Sequence, residues 1–226
     1  FVPNKIVFNS NKSKDHYLKL GMPSKKTVII HNGLRLKFLP IKIIRNKKKL
    51  ITLGMAARWN LNKDFELLFE CLHILKKKNH KFILNLCGNN MDRKNKELIQ
   101  LINKFNLNQH IKLFGKLENM EKFYKDLDIN LLVSKSESFP NVIIEAAMCG
   151  IYNIASDVGD IKHSFSKYLN IFYNKHIFLS LLEKTIFEIK SNEKKLFMKK
   201  IQFQNLIKKK YSIKNQIISY SNIYSA

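Results

Sequence analysis

From residue 50 onward, β-rich apolar runs recur at 50–56, 81–87, 110–114, 129–133 and 151–155, with helical periodicity filling the intervals near 63–78, 92–106, 118–127, 140–149 and 160–166. Few architectures accept that alternation. A strand followed by a helix of this length and then another strand builds right-handed βαβ units and a parallel sheet covered on both faces. The expected fold class is α/β, a doubly wound, Rossmann-like parallel sheet. Beyond residue 174 the pattern turns helical, over 176–190, 193–210 and 213–224, with no internal repeat and no Gly/Ser-rich linker. The first forty residues stand apart. They suggest a strand Lys5–Asn9, a helix around 12–20 stopped by Gly21 with Pro23 behind it, a strand Thr27–His31 and a turn at Asn32-Gly33.

Within this frame one stretch, Ser136-Glu137-Ser138-Phe139-Pro140-Asn141-Val142-Ile143-Ile144-Glu145, sets two carboxylates eight residues apart around a helix start. Pro140 suits the first helical turn, where its missing N–H costs nothing, so Ser138 or Phe139 is expected at the cap. Glu137 then sits in the loop, and Glu145 lies between one and two turns inside the helix. Helical side chains lean toward the N-terminus, so both carboxylates can approach one ligand over the helix start. That end also offers free N–H groups and partial positive charge, which favours a phosphorylated ligand. Taken alone the pair is more simply read as an ordinary amphipathic helix with Ile143, Ile144, Ala147 and Met148 in the core and Glu145 in solvent, since two glutamates at this spacing are common by chance.

The flanking residues decide between the two. Ser-Glu-Ser-Phe-Pro-Asn-Val, the following Glu145-Ala146 with Cys149-Gly150, and Ser156-Asp157-Val158-Gly159-Asp160 together resemble the donor-binding signature of glycosyltransferase family 4, retaining enzymes of the two-domain GT-B fold. Gly54-Met55-Ala56-Ala57-Arg58 and Lys63, an arginine followed five residues later by a lysine, resemble the family's second motif. Leu86-Cys87-Gly88, Asp92, Asn95, Leu107, Ile111–Gly115 and Asp128-Ile129 fall in the family's order, so the likeness spans roughly residues 4–170.

The resemblance implies that Arg58 and Lys63 hold the diphosphate of a nucleotide-sugar, two cations taking the place of a metal. Glu145 accepts hydrogen bonds from the ribose hydroxyls. Glu137 contacts the donor sugar, and the backbone at Ser138, Phe139 and Asn141, with Val142 beside it, completes the donor site. No cofactor, no metal and no protein nucleophile is expected. The implied reaction is transfer of a hexosyl group, with retention, from a nucleoside diphosphate to a glycan or lipid-linked acceptor, most like the enzymes of surface polysaccharide biosynthesis. A catalytically silent nucleotide-sugar-binding or interaction module is the alternative.

The resemblance also divides the chain. Gly21, Pro23, Lys26, Val28–Ile30, Asn32-Gly33 and Phe38 match the end of the family's acceptor-binding domain, although Arg35 stands where aspartate is usual. Residues 1–46 are thus expected to be the end of that domain with a linker, 47–210 the donor domain, and 211–226 a helix returning toward the first domain. About half of such an enzyme is expected to be absent, as a fragment of a longer chain or a truncated gene product. Acceptor-dependent transfer is then not expected from these residues alone. The apolar residues of 213–224 are expected to form an exposed patch together with residues 4–40.

Composition agrees with this reading and removes others. A chain of 226 residues that is 45% hydrophobic is no disordered protein. No run reaches the eighteen or so apolar residues of a membrane span, and no signal peptide opens the chain, so a cytoplasmic protein is expected. Cys71, Cys87 and Cys149 sit singly in apolar runs and suggest buried, reduced thiols. The formal charge of +24 invites nucleic acid, but only four of the 41 basic residues are arginine (Arg35, Arg45, Arg58, Arg93), and lysine runs such as 47–49, 76–78 and 208–210 lie at element edges. Nucleic acid is therefore not expected as a partner; attraction to an anionic membrane face is. Asp126-Leu127-Asp128 imitates a D-x-D metal motif but precedes an apolar strand, which favours a structural aspartate. The histidines are scattered without metal or triad spacing, and Tyr152 takes a place where proline is usual, altering a strand entry.

Overall fold

The computed structural model describes residues 3–35, 39–41, 50–191 and 194–225. Phe38, Arg45, the lysines 47–49 and the expected boundary at 46/47 lie outside the described residues. The first described elements are β1 (Ile6–Phe8), α1 (Asn11–Lys19) and β2 (Thr27–Ile29), and β1 and β2 pair as a small parallel sheet. Next come β3 (Ile51–Ala56), α2 (Phe65–Lys77), β4 (Phe82–Cys87), α3 (Lys96–Lys104), β5 (Ile111–Leu113), α4 (Met120–Tyr124), β6 (Ile129–Leu132) and α5 (Asn141–Met148). They are followed by β7 (Tyr152–Ser156), α6 (Ile161–Phe165), β8 (Asn170–Phe172), α7 (Lys175–Lys190), α8 (Lys194–Lys210) and α9 (Ile213–Tyr224).

Strands β3 to β8 form one parallel sheet in the order β5-β4-β3-β6-β7-β8. The chain therefore winds outward from β3 to β5, returns to the middle, and winds outward again from β6 to β8. Between β3 and β6 the loops leave in opposite directions and open a crevice at the carboxyl ends, where ligands bind in open α/β sheets. Alternation of side chains fills both faces. Ile51, Leu53, Met55, Leu84, Leu86, Ile129 and Leu131 pack under α2, α3 and α7, while Leu132 and Ala155 meet α5, α6 and α8 on the other face. Buried Asp128 is structural: its carboxylate accepts from the Thr52 N–H at 2.9 Å, and its own N–H donates to the Thr52 carbonyl at 2.8 Å.

The segment ahead of the large sheet is docked onto it. The Asp160 carboxylate, 2% exposed, accepts from the backbone N–H groups of Asn11 (2.6 Å) and Lys12 (2.9 Å) and from the Asn11 side chain (2.9 Å), capping α1 from a distant loop. His31 stacks on Phe139 with ring centroids 4.9 Å apart, and the Asn32 amide donates to Asn141 Oδ1 at 2.9 Å. No turn forms at Asn32-Gly33, contrary to expectation. The chain runs on beside α9, and a Cβ at Gly33 would lie 2.6 Å from the Ser212 carbonyl, so glycine is required there for close approach. Along α9, Ile217, Ile218 and Tyr224 are exposed, as are Tyr17 and Leu20 on α1 and just beyond it. Ile213 and Ile223 are instead half-buried.

Three further expectations shift. Helix α5 begins at Asn141 with Pro140 at the cap position and no side-chain cap, so neither Ser138 nor Phe139 occupies it. Helix α2 begins at Phe65, two residues after Lys63, because the Asp64 carboxylate accepts from the Leu67 N–H and fixes the start. Strand β8 adds a sixth member to the sheet where the hydrophobic pattern predicts none.

Candidate donor-binding site

The loop after β3 continues the sheet's pairing before it turns. Ala57 N–H donates to the Cys87 carbonyl at 2.8 Å and Trp59 N–H to the Asn89 carbonyl at 3.0 Å. The Trp59 indole stacks on Phe65 with centroids 4.9 Å apart, and its N–H donates to Glu97 at 2.8 Å. Asn60 then folds the chain back, its side chain accepting from the Asn62 N–H and its carbonyl from the Lys63 N–H. Asp64 N–H donates to the Val133 carbonyl and Lys135 N–H to the Asn62 carbonyl, so this loop is sewn to the loop after β6. Gly88 makes the arrangement possible. It has φ +135°, and a Cβ there would stand 2.1 Å from the Ala57 carbonyl oxygen.

Those two loops flank the crevice between β3 and β6, and they bring Lys63 and Glu137 together. The Lys63 ammonium forms an ion pair with Glu137 Oε1, and that oxygen also accepts from the Ser134 hydroxyl at 2.9 Å. With side chains 17% and 18% exposed, the pair is largely withdrawn from water, and removing either member would strand the other's charge. Periodicity alone puts Lys63 in a helix, where it needs a bound anion to offset the helix dipole. Its position ahead of Asp64 and its pairing with Glu137 remove that need. Arg58 is exposed and makes no hydrogen bond or ion pair with any described residue.

Backbone geometry around Glu137 is set by a second glycine. At Gly159, φ is +58°, and a Cβ would lie 2.7 Å from the Glu137 carbonyl oxygen and 2.8 Å from that of Ser138. A trans peptide points its C=O and N–H in opposite directions, so these contacts turn the N–H groups of Ser138 and Phe139 away from Gly159. Neither N–H has a partner among the described residues. Asn141 differs, because its N–H donates to the Phe139 carbonyl at 3.1 Å. The side chain of Phe139 is buried between His31, Tyr211 and Phe165, that of Val142 is half-buried, and Ser138 is exposed.

Glu145 is half-buried on α5, and burial raises its pKa above the ordinary carboxylate range. A hydrogen bond from the Tyr124 hydroxyl to Oε2, at 2.8 Å, acts in the opposite direction by favouring the ionised form. Cys87 and Cys149 lie near enough to feel its charge, and burial pushes both thiols up to about 12. No sequence signal marks Tyr124. Its phenol belongs to a different helix, and only the fold joins positions 124 and 145. Among the described residues no group of three His, Cys, Asp or Glu side chains is placed to hold a metal.

The sequence matches a known family model. Residues 40–196 match that of glycosyl transferases group 1. The chain belongs to that family. It is 25% identical over 233 residues to the O-antigen biosynthesis glycosyltransferase WclY of Escherichia coli, covering 98% of this chain and 61% of WclY. It is also 25% identical over 155 residues to the capsular polysaccharide biosynthesis glycosyltransferase CapH of Staphylococcus aureus, covering 68% of this chain and 43% of CapH. The family resemblance extends to the GT-B fold. A glycosyltransferase of Rickettsia africae superposes with a TM-score of 0.82 at 18% identity, covering 98% of this chain and 62% of that one. Anabaena HepE, solved with UDP and glucose, superposes with a TM-score of 0.79 at 17% identity, covering 99% and 64%. The chain thus spans about 61% of the length of WclY.

Proposed function

We propose that these residues form the donor-binding part of a family 4 type glycosyltransferase that moves a hexosyl group, with retention, from a nucleoside-diphosphate sugar to a glycan or lipid-linked acceptor in surface polysaccharide biosynthesis. The observation that carries this reading is the convergence of Lys63 and Glu137 from the two loops at the switch point, beside Arg58 and the unpartnered N–H groups of Ser138 and Phe139. Departure of a nucleoside diphosphate builds negative charge on its terminal phosphate, and cations with fixed N–H donors stabilise that charge in the transition state. Arg58 and Lys63 supply it here. Glu137, held by Lys63 and Ser134, presents its carboxylate to sugar hydroxyls, and Glu145 accepts from the ribose. Retention follows if the departing phosphate takes the acceptor's proton on the face it leaves. The names of WclY and CapH support a surface-polysaccharide product, and the complex of HepE with UDP and glucose supports a uridine diphosphate donor. The charge of +24 supports peripheral contact with an anionic membrane, and no described helix is long and apolar enough to cross one.

Calorimetry of uridine diphosphate against this chain tests the assignment. A weak complex is expected, and Lys63→Ala should weaken it by roughly 1.5–3 kcal/mol through loss of one charge-assisted contact. A folded variant with unchanged affinity would remove Lys63 from the site.

A further inference from the structure

We propose that Tyr124 is a positioning residue of the donor site: its hydroxyl fixes the Glu145 carboxylate through Oε2 and leaves Oε1 to meet the ribose. The inference rests on the reading of Glu145 as the ribose acceptor. Tyr124 is fully buried at the end of α4, its ring edge-on to Phe123 within a cluster that includes Leu127, Ala146, Cys149 and Ile151. A buried phenol is stabilised by an acceptor, and a neighbouring backbone carbonyl would serve. The Val142 carbonyl lies 3.5 Å away, yet the short contact, 2.8 Å, is to Glu145 Oε2. Oε1 has no partner among the described residues, and Glu145 as a whole is half-buried rather than buried.

The surroundings make this donor count. Among the described residues three titratable groups face Glu145, namely Tyr124 from α4, Cys87 from the end of β4 and Cys149 from the end of α5. The thiols are neutral weak donors, so among the described residues Tyr124 alone offers a strong hydrogen bond to the carboxylate. Short α4 is itself held by Asn119, whose side chain accepts from the Lys122 N–H at 3.1 Å. Below it, Asn130 donates to the Val142 carbonyl at 3.4 Å and to Asn153 at 2.8 Å, fixing the first turn of α5 against the sheet. Tyr124 therefore ties the Glu145 carboxylate, through Oε2, to a rigid floor and so keeps Oε1 aimed.

Tyr124→Phe removes the donor and keeps the ring. In the 226-residue chain, with carbon-13 labelled glutamate, Glu145 should titrate at higher pH in this variant than in the parent. Affinity for uridine diphosphate should fall about tenfold at neutral pH, the scale of one lost hydrogen bond to a charged group. The parent should prefer uridine diphosphate over its 2′-deoxy form, and Tyr124→Phe should erase most of that preference. In a Glu145→Gln background the same change should alter affinity less than about twofold. A Glu145 titration and a ribose preference both unmoved by Tyr124→Phe would overturn the proposal. Were the parent to bind no nucleoside diphosphate, the proposed function would fail, and the Glu145 titration would still decide the role of Tyr124. If Tyr124→Phe does not fold, the carbon-13 ζ resonance of Tyr124 in the parent should follow the Glu145 titration, and a resonance indifferent to it would equally refute the coupling.

Discussion

Gly88→Ala is expected to destabilise the chain by about 3 kcal/mol or more and to abolish nucleotide binding at temperatures where the variant stays folded. Two costs add. At φ +135° an L-residue is strained whatever surrounds it, and the new methyl would stand 2.1 Å from the Ala57 carbonyl oxygen, a backbone atom that cannot rotate away. Relief requires the loop after β3 to lift, and that loop carries Arg58 and Lys63. Stability should therefore fall together with affinity. Urea unfolding and titration with uridine diphosphate measure the two, and a variant with parental values in both would show that the loop is not held against Gly88.

Glu145→Gln should behave in the opposite way, with binding lost and stability kept or raised. Burial holds the folded-state pKa of Glu145 above its unfolded value, so the ionised carboxylate opposes folding at neutral pH. For such a group the favourable contribution is fully present below the unfolded pKa and is lost as pH rises through the folded one. Glutamine removes the titration, while its carbonyl can still accept from Tyr124. The thermal midpoint of Glu145→Gln should equal or exceed that of the parent at neutral pH, and the difference should shrink as pH falls through the raised Glu145 pKa. Affinity should drop by roughly 1.5–3 kcal/mol as charge-assisted hydrogen bonds to the ribose are lost. That combination is the mark of a site that gives up stability for function. A variant both less stable at neutral pH and unaltered in binding would contradict the role given to Glu145.

The parallel sheet is legible in the sequence because its strands are apolar on both faces and bounded by turn residues, so β3, β4, β6 and β7 fall within a residue or so of their expected limits. Helix starts are less so. Side chains of Asp64, Asn95 and Asn119 accept from backbone N–H groups three residues on, and each cap delays its helix past the start suggested by periodicity. Strand β8 escapes because Asn170-Ile171-Phe172 is too short to show alternation and becomes a strand only by pairing with β7. At the site, resemblance to the family's motifs points to Arg58, Lys63, Glu137 and Glu145 as candidates. Their partners cannot be read, since the contact of Lys63 with Glu137 spans 74 positions and depends on β6 returning beside β3. Gly159 stands within a recognised motif, but its close approach to the Glu137 and Ser138 carbonyls, which turns the Ser138 and Phe139 N–H groups away from it, is visible only in three dimensions.

The central claim, that a nucleoside diphosphate is held at the β3/β6 switch point, is met most directly by mapping amide and side-chain NMR shifts as uridine diphosphate is added to the chain. The expected perturbations centre on Arg58, Lys63, Gly88, Ser138, Phe139 and Glu145, with saturation at a common ligand concentration. A concavity of about 740 Å³ at the β5 edge, lined by Arg93, Ile99, Lys112 and Phe114 among others, offers a competing basic surface. Saturable shifts confined to that edge, with Lys63 and Ser138 unmoved, would contradict the assignment.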